Sequence, residues 1–297
     1  MKELTVISGK GGTGKTSLAA SFAMLSGMLG GAVMVDGDVD ASDLHLLLKP
    51  VILERHEFRS GWQAVIQEKD CVRCGGCLAH CRFEAIRMNG ATAGEASFQV
   101  DPSACEGCGV CVDHCPVRAM DLVERICGEW FVSNTRFGPM VHARLGAAAE
   151  NSGKLVSVVR EMARNVALAQ NRRLIIIDGP PGIGCPVIAS IARSDMVLIV
   201  TEPTLSGEHD LKRVMELVRR FEIPMAVAIN KWDINPAMTE KIERQASSSV
   251  RFSARIPCDP MVTRAQVNGQ TAMEFSPGPA SESIEQIWKN LCQTIKP

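Results

Sequence analysis

The chain has 297 residues, Lys+Arg 32 against Asp+Glu 33 for a net charge of −1, and 12 cysteines. Balanced charge gives no bulk attraction to nucleic acid, so none is expected as a partner. The longest apolar runs, Leu174–Ile177 and Met196–Val200, fall far below the ~20 residues of a membrane span, so no stable membrane insertion is expected. The opening MKELTVISGKGG turns into a glycine loop by Gly9 instead of forming a basic patch and an apolar stretch. A reducing, cytoplasmic setting is therefore expected, in which clustered cysteines read as metal ligands before disulfides.

Taken in chain order, short aliphatic runs occur at Leu4–Ser8, Ala32–Val35, Leu174–Ile177, Met196–Val200, Met225–Ile229 and Arg251–Ile256. Each leads through Gly, Asp or Pro into a longer mixed segment. Helical spacing recurs at Lys15–Met28, Leu155–Gln170, His209–Arg220, Pro236–Ser247 and Ser283–Ile295. Near-continuous apolar strands separated by helices predict an α/β fold with a mostly parallel, doubly wound sheet.

Eight of the cysteines lie between Cys71 and Cys115 and interrupt that alternation. They carry an internal repeat of period 34: Cys71–Ile86 aligns with Cys105–Met120, superposing four cysteines, Gly75 on Gly109, His80 on His114 and Ala85 on Ala119. The expected organisation is one α/β domain (1–62 and 126–297) holding a small α+β repeat domain (63–125). The Gly/Ala/Asn-rich stretch Asn134–Ser152 reads as loop or hairpin.

Gly9-Lys10-Gly11-Gly12-Thr13-Gly14-Lys15-Thr16 matches G-x-x-x-x-G-K-[ST], between an apolar strand and a helical pattern. Glycines let backbone N–H groups approach phosphate oxygens, the lysine adds a point charge, the threonine hydroxyl suits Mg²⁺, and the helix start favours an anion. Gly11, Gly12, Thr13, Gly14, Lys15, Thr16 and Ser17 are thus candidate nucleotide-binding residues. Two further carboxylates end a strand in Val33-Met34-Val35-Asp36-Gly37-Asp38, and another ends Ile175-Ile176-Ile177-Asp178.

Lys10, a second lysine five residues before Lys15, makes the loop similar to that of the deviant Walker A ATPases, the MinD/ParA/Mrp class that includes the nitrogenase iron protein. With the cysteine repeat inserted, the chain resembles MinD-superfamily ATPases containing an inserted ferredoxin domain. The resemblance implies a homodimer on ATP binding, in which Lys10 reaches the partner's nucleotide. It also implies that Asp38 orients the attacking water, with Lys10, Lys15 and Asp38 as the catalytic set. Asp36 and Asp178 become Mg²⁺ or water ligands beside Thr16, and Asp178-Gly179-Pro180-Pro181-Gly182 looks like switch II. Asn230-Lys231-Trp232-Asp233 has the N-K-x-D form with which GTPases read guanine; in MinD-like proteins the asparagine contacts adenine, so ATP is expected and Asn230 is its base contact.

Cys71-x₂-Cys74-x₂-Cys77-x₃-Cys81 and Cys105-x₂-Cys108-x₂-Cys111-x₃-Cys115-Pro116 are two bacterial ferredoxin runs. In two-cluster ferredoxins the fourth cysteine of each run ligates the other [4Fe–4S] cluster. Cys71, Cys74, Cys77 and Cys115 are therefore expected on one cluster, and Cys105, Cys108, Cys111 and Cys81 on the second. Arg82 stands where the second run has Pro116. Zinc sites place two ligand pairs across a longer spacer. His80 and His114 read as packing or solvent-facing residues.

Of the remaining cysteines, Cys292 lies on an amphipathic helix with Ile284, Ile287, Trp288, Leu291 and Ile295, so a packed thiol is expected. That helix resembles the membrane helix of MinD, but its only basic groups are Lys289 and Lys296, which favours core packing. Cys185 follows Asp178 by seven residues, the offset of the bridging-cluster cysteine in the nitrogenase iron protein. A metal or cluster shared between protomers is one reading of it, with Cys127 or Cys258 as the accessory ligand, and an ordinary thiol is the other.

The expected function is an ATP-hydrolysing, dimeric iron–sulfur protein that couples nucleotide state to electron transfer, or to metallocofactor maturation, on a partner protein. An Mrp-type cluster scaffold or carrier is the alternative, and a positioning ATPase ranks below both.

Overall fold

The computed structural model describes residues 1–90, 97–146 and 152–296. In chain order its elements are β1 (Lys2–Ser8), α1 (Lys15–Leu25), β2 (Ala32–Asp36), α2 (Leu44–Leu48), β3 (Val51–Ile66), α3 (Gly76–His80), β4 (Ile86–Asn89), β5 (Ser97–Val100), α4 (Val110–Asp113), β6 (Met120–Thr135) and β7 (Gly138–Leu145). There follow α5 (Ser152–Ala169), β8 (Leu174–Pro181), α6 (Cys185–Ile191), β9 (Met196–Thr201), α7 (Leu205–Arg220), β10 (Met225–Asn230), α8 (Pro236–Ala246), β11 (Ser253–Ile256), α9 (Pro260–Val267), α10 (Ala272–Phe275) and α11 (Pro279–Ile295).

Nine strands form one sheet in the order β11-β10-β9-β1-β8-β2-β7-β6-β3. β1 pairs in parallel with β8 and β9, β2 with β8 and β7, and β10 with β9 and β11. β6 and β7 are sheet neighbours joined by only Arg136 and Phe137, a connection that only an antiparallel pair can make. The sheet is therefore mixed and mostly parallel. The period of two sorts its side chains between two cores. Leu4, Val6, Met196, Leu198 and Val200 pack with α1 and α11 on one face, whereas Ile7, Val197 and Ile199 pack with α7 and α8 on the other. Trp288 of α11 packs against Phe22 of α1 with ring centroids 5.2 Å apart and tilted by 32°, and the apolar stripe of α11 is buried in the core, with Cys292 packed beside it. Among the described residues no helix is long and apolar enough to cross a membrane.

The chain divides into two compact units. One comprises Met1–His56, Trp130–Leu145 and residues 152–296; the other comprises Glu57–Glu129 with Gly146. The second has its own small core of Ala64, Ile86, Phe98, Cys105, Cys111 and Met120, over the antiparallel pair β4–β5. Part of the stretch read as loop or hairpin is the β6–β7 hairpin; residues 147–151 lie outside the described set. Strands β3 and β6, each 16 residues long, have no counterpart among the apolar runs. Most of β3 is exposed, and the first half of β6 alternates exposed with covered positions, so both carry polar residues at many positions.

Candidate functional site

The glycine loop joins β1 to α1, and the carboxylates stand at the ends of neighbouring strands. Asp36 of β2 and Asp178 of β8 are register partners, both essentially unexposed. Lys15, also buried, donates to Asp178 Oδ1 at 3.0 Å, lies 3.9 Å from Asp38 Oδ2, and reaches Thr16 Oγ1 at 3.4 Å. Burial alone would lower the Lys15 ammonium's pKa, but Asp178, Asp38 and Asp36 together raise it above the ordinary lysine value. Asp36 is pushed up to about 7, first by burial and then by Asp178. It is restrained by donations from the Ser42 hydroxyl at 2.7 Å and from the backbone N–H groups of Asp38 and Leu44 at 3.2 Å. Burial also raises Asp38. The buried carboxylates Asp36 and Asp178, with Lys15 on Asp178, suit a further cation, and the adjacent Thr16 hydroxyl supplies another oxygen.

The loop's far side is open. A Cβ at Gly11 or Gly12 would meet nothing within 4 Å, and these glycines line a cavity of about 560 Å³ with Lys15, Thr16, Asp38 and Pro181. Thr13 Oγ1 is buried without a hydrogen-bond partner, a donor or acceptor left for a ligand. These features fit a phosphate chain. Gly14, at φ 91°, has no room for a side chain, since a Cβ there would stand 2.5 Å from Asn230 Nδ2. That amide donates to Thr13 O at 2.8 Å, which ties the end of β10 to the loop. A second cavity of about 570 Å³ shares Gly12, Gly14, Ser17 and Gln266 with the first and continues past Asn230 to Pro257 and Cys258, the extent a nucleoside needs. Asp233, which a guanine-reading motif would aim at the base, instead accepts from the Cys258 backbone N–H at 2.7 Å.

Strand-end reading overlooked Glu202, just beyond β9. It lies 3.5 Å from Lys10 Nζ and 2.7 Å from Lys231 Nζ. The rule that placed Asp36 and Asp178, a carboxylate at the C-terminal edge of a parallel strand, would have found it. Sequence reading also missed Gln266 of α9, whose amide donates to Ser17 Oγ.

In the second unit the repeat is reproduced as a pseudo-twofold exchange. Gln67 N donates to Ala119 O at 2.8 Å and Asp101 N donates to Ala85 O at 2.7 Å. Gln67 and Asp101 are 34 residues apart, as are Ala85 and Ala119, so each half bonds the other in the same way. His80 and His114 meet edge to face at 4.2 Å, exposed and touching each other. Cys81 lines the same small pocket as Cys105, Cys108 and Cys111. Burial raises the Cys77 thiol, and the nearby Cys71 and Cys74 add to that rise. Cys111 is pushed up to about 11 by burial and then by Cys105, Cys108 and Cys77. Among the described residues no three of these side chains close to metal-ligand geometry, and no contact brings Cys115 to Cys71, Cys74 and Cys77. Soft donors beside backbone N–H groups of Ala64 and Ala119, 3.5 and 3.2 Å from the sulfurs of Cys105 and Cys115, are nevertheless the chemistry that thiolate-ligated clusters use.

Cys185 opens α6 and is exposed; Cys258 is exposed and Cys127 is buried with its thiol on Ser60 O. Cys185 lies in the first unit and Cys127 in the second.

A family described as a 4Fe-4S dicluster domain matches residues 64–122. Uncharacterized protein MJ0578 of Methanocaldococcus jannaschii is 32% identical over 301 residues, covering 99% of this chain and 97% of its own. Among solved structures, the septum site-determining protein MinD of Pyrococcus horikoshii OT3, complexed with Mg-ADP, aligns with a TM-score of 0.58 and 16% identity over 98% of this chain and 95% of its own. MinD from the MinC:MinD cell division complex of Aquifex aeolicus aligns with a TM-score of 0.57 and 17% identity over 99% and 96%. The chain belongs to the family of the Methanocaldococcus jannaschii protein MJ0578, and joins a MinD-type P-loop fold to a 4Fe-4S dicluster domain.

Proposed function

We propose that the protein binds and hydrolyses ATP as a nucleotide-dependent homodimer and uses that cycle to control electron transfer, or metallocofactor maturation, on a partner protein. The observation that carries this reading is the open glycine cradle facing Lys15, held between Asp178 and Asp38, in a chain that also carries eight ferredoxin-type cysteines. Gly11 to Ser17 bind the phosphates and Asn230 borders the base. Thr16, Asp36 and Asp178 would hold Mg²⁺, which when bound neutralises phosphate charge. Asp38 orients the attacking water, Lys15 stabilises the transferred phosphoryl group, and Lys10 serves the partner's nucleotide.

We place the ferredoxin domain at 63–125, between ATPase segments 1–62 and 126–297. Cys71, Cys74, Cys77 and Cys115 would hold one [4Fe–4S] cluster, and Cys105, Cys108, Cys111 and Cys81 the other; such clusters supply one-electron transfer. The second assignment is supported by the pocket that Cys81 shares with Cys105, Cys108 and Cys111.

Mg-ATP hydrolysis tests the first half. Lys15→Ala abolishes nucleotide binding, whereas Asp38→Ala retains binding and loses turnover; tighter binding of GTP than ATP would overturn the base assignment. The partner half is tested by anaerobic pull-down with the Asp38→Ala dimer, which is expected to retain an acceptor that the cluster domain reduces. The exposure of Cys185 favours a second reading, an Mrp-type carrier with a metal or cluster at that residue. About eight irons per protomer, the content of two [4Fe–4S] clusters, in both the wild type and Cys185→Ala would contradict it.

A further inference from the structure

Glu202 takes two lysines from two separate motifs on its two carboxylate oxygens. Lys10 of the glycine loop stands 3.5 Å from Oε2, and Lys231 of the N-K-x-D segment donates to Oε1 at 2.7 Å. Lys10 also reaches Thr204 Oγ1 at 3.5 Å and Ser206 Oγ at 3.4 Å, so its ammonium is satisfied within its own chain. The acceptor is held firmly. Glu202 O receives Thr204 N at 2.8 Å, Thr204 caps α7 by accepting from Gly207 N at 3.0 Å, and a Cβ on Gly207 would come within 2.3 Å of Glu202 O. Glu202 is also the more buried member of its pair with Lys10, 15% against 32% exposed at the side chain.

We infer that Glu202 is a positioning residue that stores Lys10 on its own protomer in the unliganded state, and that nucleotide-driven dimerisation must draw the lysine off it. The inference rests on the reading of Lys10 as the residue that serves the partner's nucleotide. Two features make the store reversible. When Lys10 leaves, Lys231 remains on Glu202, so no carboxylate is left unpaired and the exchange avoids the cost of an isolated buried charge. Lys231 is also linked to the nucleotide cavity, because its N–H donates to Asn230 Oδ1 at 3.0 Å and the Asn230 amide holds Thr13 O. Occupation of the base cavity therefore acts on the residue adjacent to the one that shares Glu202 with Lys10.

Removing the charge leaves two ammonium groups beside a neutral amide, which frees Lys10. Partly exposed ion pairs of this kind are worth about a two- to fivefold change in an equilibrium. Because both protomers release a lysine, Glu202→Gln should tighten the dimer about four- to twenty-five-fold. Sedimentation velocity across a protein dilution series at saturating Mg-ATP reads this directly. Glu202→Asp, which keeps the charge on a shorter arm, should shift the dimer constant in the same direction by less, and covers the case in which Glu202→Gln fails to fold. Lys10→Ala should stay monomeric, alone or combined with Glu202→Gln. An unchanged or weaker dimer in both Glu202 variants, with Lys10→Ala monomeric, overturns the storage role alone. Dimerisation of Lys10→Ala overturns the reading beneath it.

Discussion

The two units prepare their sites in opposite ways. In the P-loop unit the reactive groups are held by one another and by the backbone: Lys15 sits on Asp178, and Asp36 is held by Ser42 and two backbone N–H groups. They stand on β1, β2 and β8 and the turns after them, strands buried on both faces, so the site rests on a packed core. The cysteine unit has helices of only five and four residues, α3 and α4, a two-stranded pair, and a few core side chains. Its framework favours neutral thiols at Cys77 and Cys111. Iron binding to these cysteines would displace their protons, so cluster binding is expected to be coupled to the folding of this unit. One site is built by packing; the other is expected to be completed by its clusters.

The largest effect expected from this contrast is in the cysteine unit. Cys111→Ser should reduce the iron content from about eight to about four atoms or fewer, and should open Glu57–Glu129 to proteolysis while Mg-ATP binding persists. Retention of full iron, or loss of nucleotide binding together with the iron, would erase the contrast.

Next in size is a buried charge in the other unit. Glu3 of β1, 5% exposed, accepts from Arg160 and Arg164 of α5 at 2.5 Å each. Glu3→Gln should lower the unfolding free energy of the P-loop unit by about 3 kcal/mol, the cost of stranding a buried partner, without changing the iron count. Breaking the exposed Arg220–Glu216 pair should change stability by no more than about 0.5 kcal/mol. Urea denaturation separates the two, and equal losses would show that burial does not govern this unit.

A further effect, on the order of the Glu3 loss or less, is a pH dependence. His142 of β7 is depressed from 6.5 to about 4, by burial and then by His45, and its Nε2 is 2.9 Å from Ser133 Oγ. The unfolded chain takes up this proton near its ordinary value and the folded chain does not, so stability is unaffected above about pH 7 and falls as pH drops from 6.5 towards 4. The loss should be about 1–3 kcal/mol. His142→Gln should flatten that slope in thermal denaturation, and an unchanged slope would assign it elsewhere.

How far the sequence disclosed this molecule follows the same division between buried and exposed backbone. β1, β2, β8, β9 and β10 were legible because strands covered on both faces are continuous apolar runs, and the aspartates at their ends came with them. β3 and β6 were not, because a strand such as Val51–Ile66, largely exposed, carries Glu54, Arg55, His56 and Glu57 in succession and has no hydrophobic signature. The two cysteine runs were legible from spacing alone, but the exchange of Gln67 and Asp101 between halves needed coordinates. Glu202 was missed although it ends its strand as Asp36 and Asp178 end theirs, because it belongs to no motif that called attention to it. Its importance comes from bringing two motifs together.

The direct test is the midpoint potential of each cluster, measured anaerobically for nucleotide-free protein and for the Asp38→Ala protein saturated with Mg-ATP. Coupling between nucleotide state and electron transfer requires that the two states bind the electron differently. A shift of about 60 mV or more in at least one cluster, a tenfold change for a one-electron couple, is the expected result. Identical potentials in the two states would contradict it.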